Sequence, residues 1–360
     1  MTPIDVTAVP VDYLRPTAKD LQGTLTEVSY EARNYINDSR QLVTNQRITA
    51  GEAGRETVVG ESISKRCNVY LPAGYDEQDH ETKYDVLYLL HGVGGDRYEW
   101  LRSNGMVDNN FIVCNLFDNL IGNGDIRPLI VVFPEGRSAV DWTDTSFNAA
   151  GTNLLGFYYF DYELRYDLIP FIESNYHTIA KISDTSVEGS LRNRRHRALA
   201  GLSMGGMQSL NLTLGGYRCD STTFTGTKPG WSNGLDETVR APGMVDLFAY
   251  VGAFSNAPTS SGGEILGGHI ASARYPLQLL YITCGDADNV AVNLGYRKSV
   301  NGLRETAGDS IMSHYEVILK GGVHDFTVWN HGAYNFARLA FGQTEDESAP
   351  SGFHQITLDL

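Results

Sequence analysis

From about residue 65 onward, short apolar runs rich in β-branched side chains alternate with stretches of helical period, which limits the chain to a few architectures. Apolar runs without polar alternation read as strands buried on both faces, as in a mainly parallel sheet covered by helices. They predict strands at residues 85–90, 129–133, 198–200, 247–251, 279–283 and 315–319. Between them, Val113, Leu116, Phe117 and Leu120 repeat at i, i+3, i+4 and i+7, and Leu164, Leu168, Phe171 and Ile172 do much the same, which predicts helices. Strand alternating with helix specifies the α/β class, here one main domain over residues 61–342.

Three regions depart from the alternation. Residues 1–60 carry short β-like pieces such as Leu25-Thr-Glu-Val-Ser-Tyr30 and predict antiparallel edge strands of the same domain. An insertion at about 215–242 is full of Gly, Thr, Ser and Asn, with Tyr217, Phe224 and Trp231 embedded in it; a loop that long is usually functional or disordered. The tail, 343–360, opens on an acidic run and is predicted to be loosely held.

Charge narrows the partners. Lys and Arg number 28 against 43 Asp and Glu, so the net charge is 28 − 43 = −15, and the basic footprint needed for nucleic acid or an anionic membrane is missing. The local exception, Arg192, Arg194, Arg195 and Arg197, reads as a solvated loop ahead of a strand. No apolar run reaches the ~18 residues of a membrane helix. No secretory signal is visible at the start, so a cytosolic protein and a secreted one without its signal both fit. Cys67, Cys114, Cys219 and Cys284 are too few and scattered for a disulfide framework or a CxxC metal site, and no HExxH or EF-hand spacing is present. The sequons at Asn37 and Asn211 leave the compartment open.

Gly201-Leu-Ser-Met-Gly205 has the G-x-S-x-G spacing of a nucleophile elbow, in which a serine occupies a sharp strand-to-helix turn. Context strengthens it: Arg197-Ala-Leu-Ala200 leads in as a strand, and Met207, Leu210 and Leu214 lie on one face of a helix leading out. A serine hydroxyl needs a base within reach and an acid to fix the base's tautomer. The strand at 279–283 runs into Cys284-Gly-Asp-Ala-Asp288, and the last strand into Gly321-Gly-Val-His324, so Ser203, an aspartate and His324 meet at the carboxyl edge of the sheet. Asp286 and Asp288 compete for the acid; Asp286 is also placed to cap the turn, and Asp325 fits a loop-capping role. An oxyanion needs preorganised donors, and the Gly-rich run His91-Gly-Val-Gly-Gly95 and the elbow point to the Val93 and Met204 N–H groups, with His91 orienting the loop.

Together, Val69-Tyr-Leu-Pro-Ala-Gly-Tyr75, Tyr88-Leu-Leu-His-Gly-Val-Gly-Gly95, Gly201-Leu-Ser-Met-Gly-Gly-Met207 and Gly321-Gly-Val-His-Asp-Phe-Thr-Val-Trp329 resemble the esterase D-like α/β-hydrolases, most closely the feruloyl esterases of carbohydrate esterase family one. The resemblance covers about residues 23–341. It implies hydrolysis of hydroxycinnamate esters on feruloylated arabinoxylan-type saccharides without a cofactor. It also implies Ser203 as nucleophile, His324 as base and, through its Cys-Gly-x-x-Asp segment, Asp288 as acid. The long insertion departs from the compact family pattern and leaves the acyl pocket open. A ferulate ring needs an aromatic slot, for which Trp329, Tyr217, Phe224, Trp231, Trp142 and Phe147 are candidates. Acetyl-xylan, S-formylglutathione and siderophore esters are alternatives on the same triad, and a non-catalytic carbohydrate-binding relative is the alternative outside enzymes.

Overall fold

The computed structural model describes residues 4–38, 60–102, 106–107, 110–148, 151–218, 239–342 and 350–359. Its centre is a nine-stranded sheet, numbered here in chain order: β1 (Thr24–Arg33), β2 (Ser62–Leu71), β3 (Asp85–Leu90), β4 (Leu129–Phe133), β5 (Arg197–Leu202), β6 (Tyr250–Phe254), β7 (Leu277–Gly285), β8 (Ile311–Lys320) and β9 (Gly352–Asp359). The spatial order is β1-β2-β4-β3-β5-β6-β7-β8-β9. β2 pairs antiparallel with both β1 and β4, and every later pairing is parallel. This is the α/β class that the strand and helix pattern predicts, in the α/β-hydrolase arrangement that the family resemblance implies, with antiparallel strands at the amino-terminal edge.

The period of two sends alternate side chains to opposite layers. Leu87, Leu89, Val131, Ala198 and Tyr281 pack against α1 (Ile112–Gly122) and α4 (Phe326–Phe341) on one face. Val86, Tyr88, Leu90 and Leu199 meet Leu168, Ile169, Ile172 and Leu212 on the other, where Val251 and Leu280 also meet Leu210, Leu266 and Ile270. The last five come from α2 (Met204–Leu214), α3 (Gly263–Ala271) and the strands β6 and β7. Both layers are filled, so each central strand is buried on both faces and reads as a continuous apolar run.

Several expectations are corrected. The strand expected at 247–251 begins three residues later, because the chain first makes a turn in which Phe248 N donates to Met244 O at 3.0 Å, burying Leu247 and Phe248 ahead of the strand. The helix expected around Leu164 starts earlier, at Phe160–Glu163, and passes through a π-turn, Leu164–Leu168, before Ile169–Asn175 continues as α. The arginine cluster is not uniformly solvated: Arg194 and Arg197 are each 1% exposed. Arg197 pairs with Glu173 at 2.5 Å, and Arg194 donates to the Val245 and Pro276 carbonyls. A buried guanidinium persists only with such partners, which lie far away in sequence. Part of the tail is likewise held, since residues 352–359 form β9 beside β8, with Phe353 against His314 and His354 stacked on Tyr315. Cys67, Cys114 and Cys284 are free and buried; Cys219 lies outside the described residues. Asn211 is fully buried and donates to the Tyr217 and Thr259 carbonyls, which leaves no room for a glycan.

β8 also carries a buried pair, His314 and Glu316, 3.4 Å apart. Burial lowers His314 to about 4 and raises Glu316 to about 7, with Glu305 adding to the latter and Arg304 opposing it, so the two meet as neutral partners rather than as an ion pair. The unfolded chain releases the Glu316 proton near the ordinary carboxyl value of 4.5, so this group withdraws stability as pH rises from there to about 7. His314 acts in the opposite sense, withdrawing stability as pH falls from its ordinary value of 6.5 to about 4. Glu316→Gln is therefore expected to raise the thermal midpoint above pH 7, by up to about 3 kcal/mol of stability, and to change it little near pH 4. Parallel unfolding scans of both proteins at the two pH values read the difference, and an equal shift at both would contradict the assignment.

Candidate active site

β5 ends in a sharp turn whose apex, Ser203, has φ 50° and ψ −113°, a conformation costly for a residue with a side chain. Glycines make the turn physically possible. A Cβ on Gly205 would stand 2.6 Å from His91 O, and one on Gly201 would stand 2.6 Å from the Gly205 carbonyl carbon. The backbone is held on both sides, as Ser203 N donates to Phe254 O and Ala257 N donates to Ser203 O, each at 2.9 Å. α2 starts at the next residue, so Met204 N–H is among the amides that have no partner within their own helix.

Three side chains from three strand ends converge there. His324, on the loop after β8, has Nε2 3.1 Å from Ser203 Oγ and Nδ1 2.8 Å from Asp288 Oδ2. Asp288 is fully buried on the loop after β7; its Oδ1 accepts from Val290 N at 3.0 Å and Ala291 N at 2.8 Å, and the Cys284 thiol donates to Oδ2 at 3.6 Å. Burial alone would raise this carboxyl, but the hydrogen bond and charge of His324, with the Ala291 N–H, outweigh it and hold Asp288 below the usual carboxylate range. An ionised Asp288 takes the Nδ1 proton as its hydrogen bond, which leaves the Nε2 lone pair facing the serine.

The competing aspartates are occupied elsewhere. Asp286 Oδ1 accepts from Gly321 N at 2.7 Å and ties the two loops together, while Asp325 caps α4 by accepting from Thr327 N and Val328 N. Trp329 packs edge-on against the His324 ring, centroids 5.2 Å apart, and is 7% exposed, so it buttresses the histidine more than it lines an open slot. Tyr217 is not brought to the triad: its backbone lies beyond the far end of α2, about 16 Å of helix from Ser203. Phe224 and Trp231 lie outside the described residues.

The loop after β3 runs beside the serine, since a Cβ on Gly92 would stand 3.1 Å from Ser203 Cβ. His91 is buried beneath it, with Nδ1 2.7 Å from Gly92 O and Nε2 2.5 Å from Glu135 O. Within the loop, Gly92 N donates to Glu99 Oε2 at 2.6 Å and Gly95 N to Gly92 O at 3.2 Å. Among the described residues, Val93 and Gly94 N–H then have no protein acceptor. The segment carrying Trp142 and Phe147 approaches this loop, because a Cβ on Gly94 would lie 4.0 Å from Thr145 O. Exposed apolar side chains gather on these loops: Phe147 at 53%, Val323 at 46% beside His324, and Val290 at 37% beside Asp288. Val290, Val323 and Glu99 belong to no motif, and their only signal in the sequence is closeness to the motifs. A cavity of about 860 Å³ lies elsewhere, at the amino end of the strands, where Arg197 opens β5.

A parallel sheet with the elbow after its fifth strand, and a base and an acid on the loops after later strands, defines the α/β-hydrolase class. Comparison with known proteins takes this one step further. Residues 63–218 match the family model described as "Putative esterase". The chain is 37% identical over 158 residues to endo-1,4-beta-xylanase Y of Acetivibrio thermocellus, covering 44% of this chain and 12% of that protein. It is 28% identical over 300 residues to an endo-1,4-beta-xylanase/feruloyl esterase of Xylanibacter ruminicola, covering 82% of this chain and 32% of that one. The chain thus spans a third or less of these curated relatives. Among solved structures it superposes on a CE1 ferulic acid esterase from Anaeromyces mucronatus in complex with ferulic acid, with TM-score 0.62, 23% identity and coverage of 95% and 99%. The feruloyl esterase module from Clostridium thermocellum, complexed with sinapinate, gives TM-score 0.57, 22% identity and 95% coverage of both chains. The chain is therefore similar in sequence to esterases and to a xylanase/feruloyl esterase, and similar in fold to ferulic acid esterases.

Proposed function

We propose that this chain hydrolyses hydroxycinnamate esters, feruloyl esters of plant-wall saccharides in particular, through an acyl-enzyme on Ser203. The observation that carries the reading is the hydrogen-bonded line Ser203–His324–Asp288, built at the end of a strained elbow. In this mechanism the Ser203 hydroxyl gives its proton to His324 Nε2 as Oγ attacks the ester carbonyl. Asp288 stabilises the resulting imidazolium. The Val93 and Met204 N–H groups receive the oxyanion, a role consistent with Gly92 and Gly95 N–H being committed within the loop. The sugar alcohol leaves with the proton from His324, and water activated by the same histidine releases the acid.

The acyl group is the less constrained part. Phe147 and Val323 supply exposed apolar surface on loops flanking the serine, which suits an aromatic acid, and the xylanase relatives favour a wall-polysaccharide alcohol. Hydrolysis of methyl ferulate and of a short acetate ester, compared at equal enzyme with Ser203→Ala as blank, tests this. Ferulate is expected to give the higher kcat/KM. A clear acetate preference would keep the serine mechanism and overturn the hydroxycinnamate assignment.

A further inference from the structure

Oxyanion stabilisation depends on donors that are already aimed before charge develops, and a loop with three glycines in four residues does not aim itself. What holds residues 92–95 is Glu99. Its Oε2 accepts from Gly92 N at 2.6 Å and fills the inside of the turn so closely that a Cβ on Gly95 would stand 2.1 Å from it. The carboxylate is itself fixed. Glu99 N donates to Asp96 O at 2.9 Å, and the next residue, Trp100, is 1% exposed with its indole N–H on Leu90 O at 3.0 Å, at the end of β3. On the other side of the loop, the buried Arg137 guanidinium donates to Gly95 O and to Glu135 Oε1.

We infer that Glu99 is a positioning residue for the oxyanion site: by taking the Gly92 N–H it fixes the peptide so that the following amide, Val93 N–H, is turned toward the substrate. The inference rests on the proposed serine mechanism. Its chemistry is specific. A carboxylate placed close to a developing oxyanion opposes it by charge, so what Glu99 contributes is an accepting oxygen at a fixed point rather than its charge. A glutamine offers the same oxygen, and an alanine offers none.

Three measurements test it. For hydrolysis of 4-nitrophenyl acetate, Glu99→Ala is expected to lower kcat by roughly 10–100-fold, below the ~10²–10³ typical of deleting an oxyanion donor outright, with KM within about threefold. Glu99→Gln is expected to recover most of that loss. Phenylboronic acid, which adds to the serine and carries an oxygen at the oxyanion position, should weaken in parallel with kcat in the alanine variant. Amide exchange at Gly92 should be slow in the parent and in Glu99→Gln, and fast in Glu99→Ala. A Glu99→Ala enzyme within twofold of the parent, or a Glu99→Gln enzyme as slow as the alanine form while folded by its thermal midpoint, would overturn the inference. Turnover that survives Ser203→Ala would instead overturn the serine mechanism, and the Gly92 exchange rates report the Glu99 contact whatever the activity, so the two fail separately.

Discussion

Ser203→Ala is expected to lower ester turnover on the order of 10⁴–10⁶-fold while the protein stays folded. The size of the loss follows from what the substitution removes. Oγ is the only heavy atom that leaves, taking the transferable proton with it, and it is the atom 3.1 Å from His324 Nε2. The expected stability follows from what stays. The elbow is held through backbone groups, Ser203 N on Phe254 O and Ala257 N on Ser203 O, and alanine adopts the φ of 50° at much the same cost as serine. A thermal midpoint near that of the parent, measured on the same samples as the rates, separates lost chemistry from lost fold. Residual turnover within about tenfold of the parent would remove Ser203 from the mechanism.

The second large effect distinguishes two aspartates only two positions apart. Asp288→Asn is expected to cost about 10⁴-fold in kcat, because an amide nitrogen facing His324 Nδ1 stabilises the wrong tautomer and leaves an N–H pointing at the serine. Oδ1 can still accept from Val290 and Ala291, so the loop should keep its shape. Asp286→Asn is expected to stay within severalfold of the parent, since its oxygen can still accept from Gly321 N. Rates of the two variants at one pH, on one ester, decide the matter. The reverse ranking would sink the assignment of Asp288 as the acid.

Much of this site was legible before any coordinates because its determinants are local. An elbow serine needs glycines at fixed offsets, and a loop at a strand's carboxyl end needs its strand, both of which can be read within ten residues. Choosing Asp288 over Asp286 needed the family resemblance, and only the hydrogen bond to Gly321 N reveals what Asp286 does instead. The failures share a non-local cause. β9 looked like a loose tail because its strand character depends on β8 being there to pair with, and Arg197 looked solvated because Glu173, its partner, is 24 residues away. The motif around Trp329 suggests a slot residue, yet its packing on Phe326 and His324 buries it. Glu99 left no pattern at all, since a carboxylate accepting from one backbone N–H has no periodicity to detect.

The central claim, a covalent acyl-enzyme on Ser203, is tested most directly by acid-quenching the protein during early turnover of an activated aryl ferulate and mapping the adduct by peptide mass spectrometry. With an activated leaving group, acylation outruns deacylation and the intermediate accumulates. The account predicts one feruloyl group on the peptide containing Ser203, appearing with the burst of released phenol and absent from Ser203→Ala. Steady hydrolysis with that peptide unmodified, or with the adduct on another side chain, would contradict it.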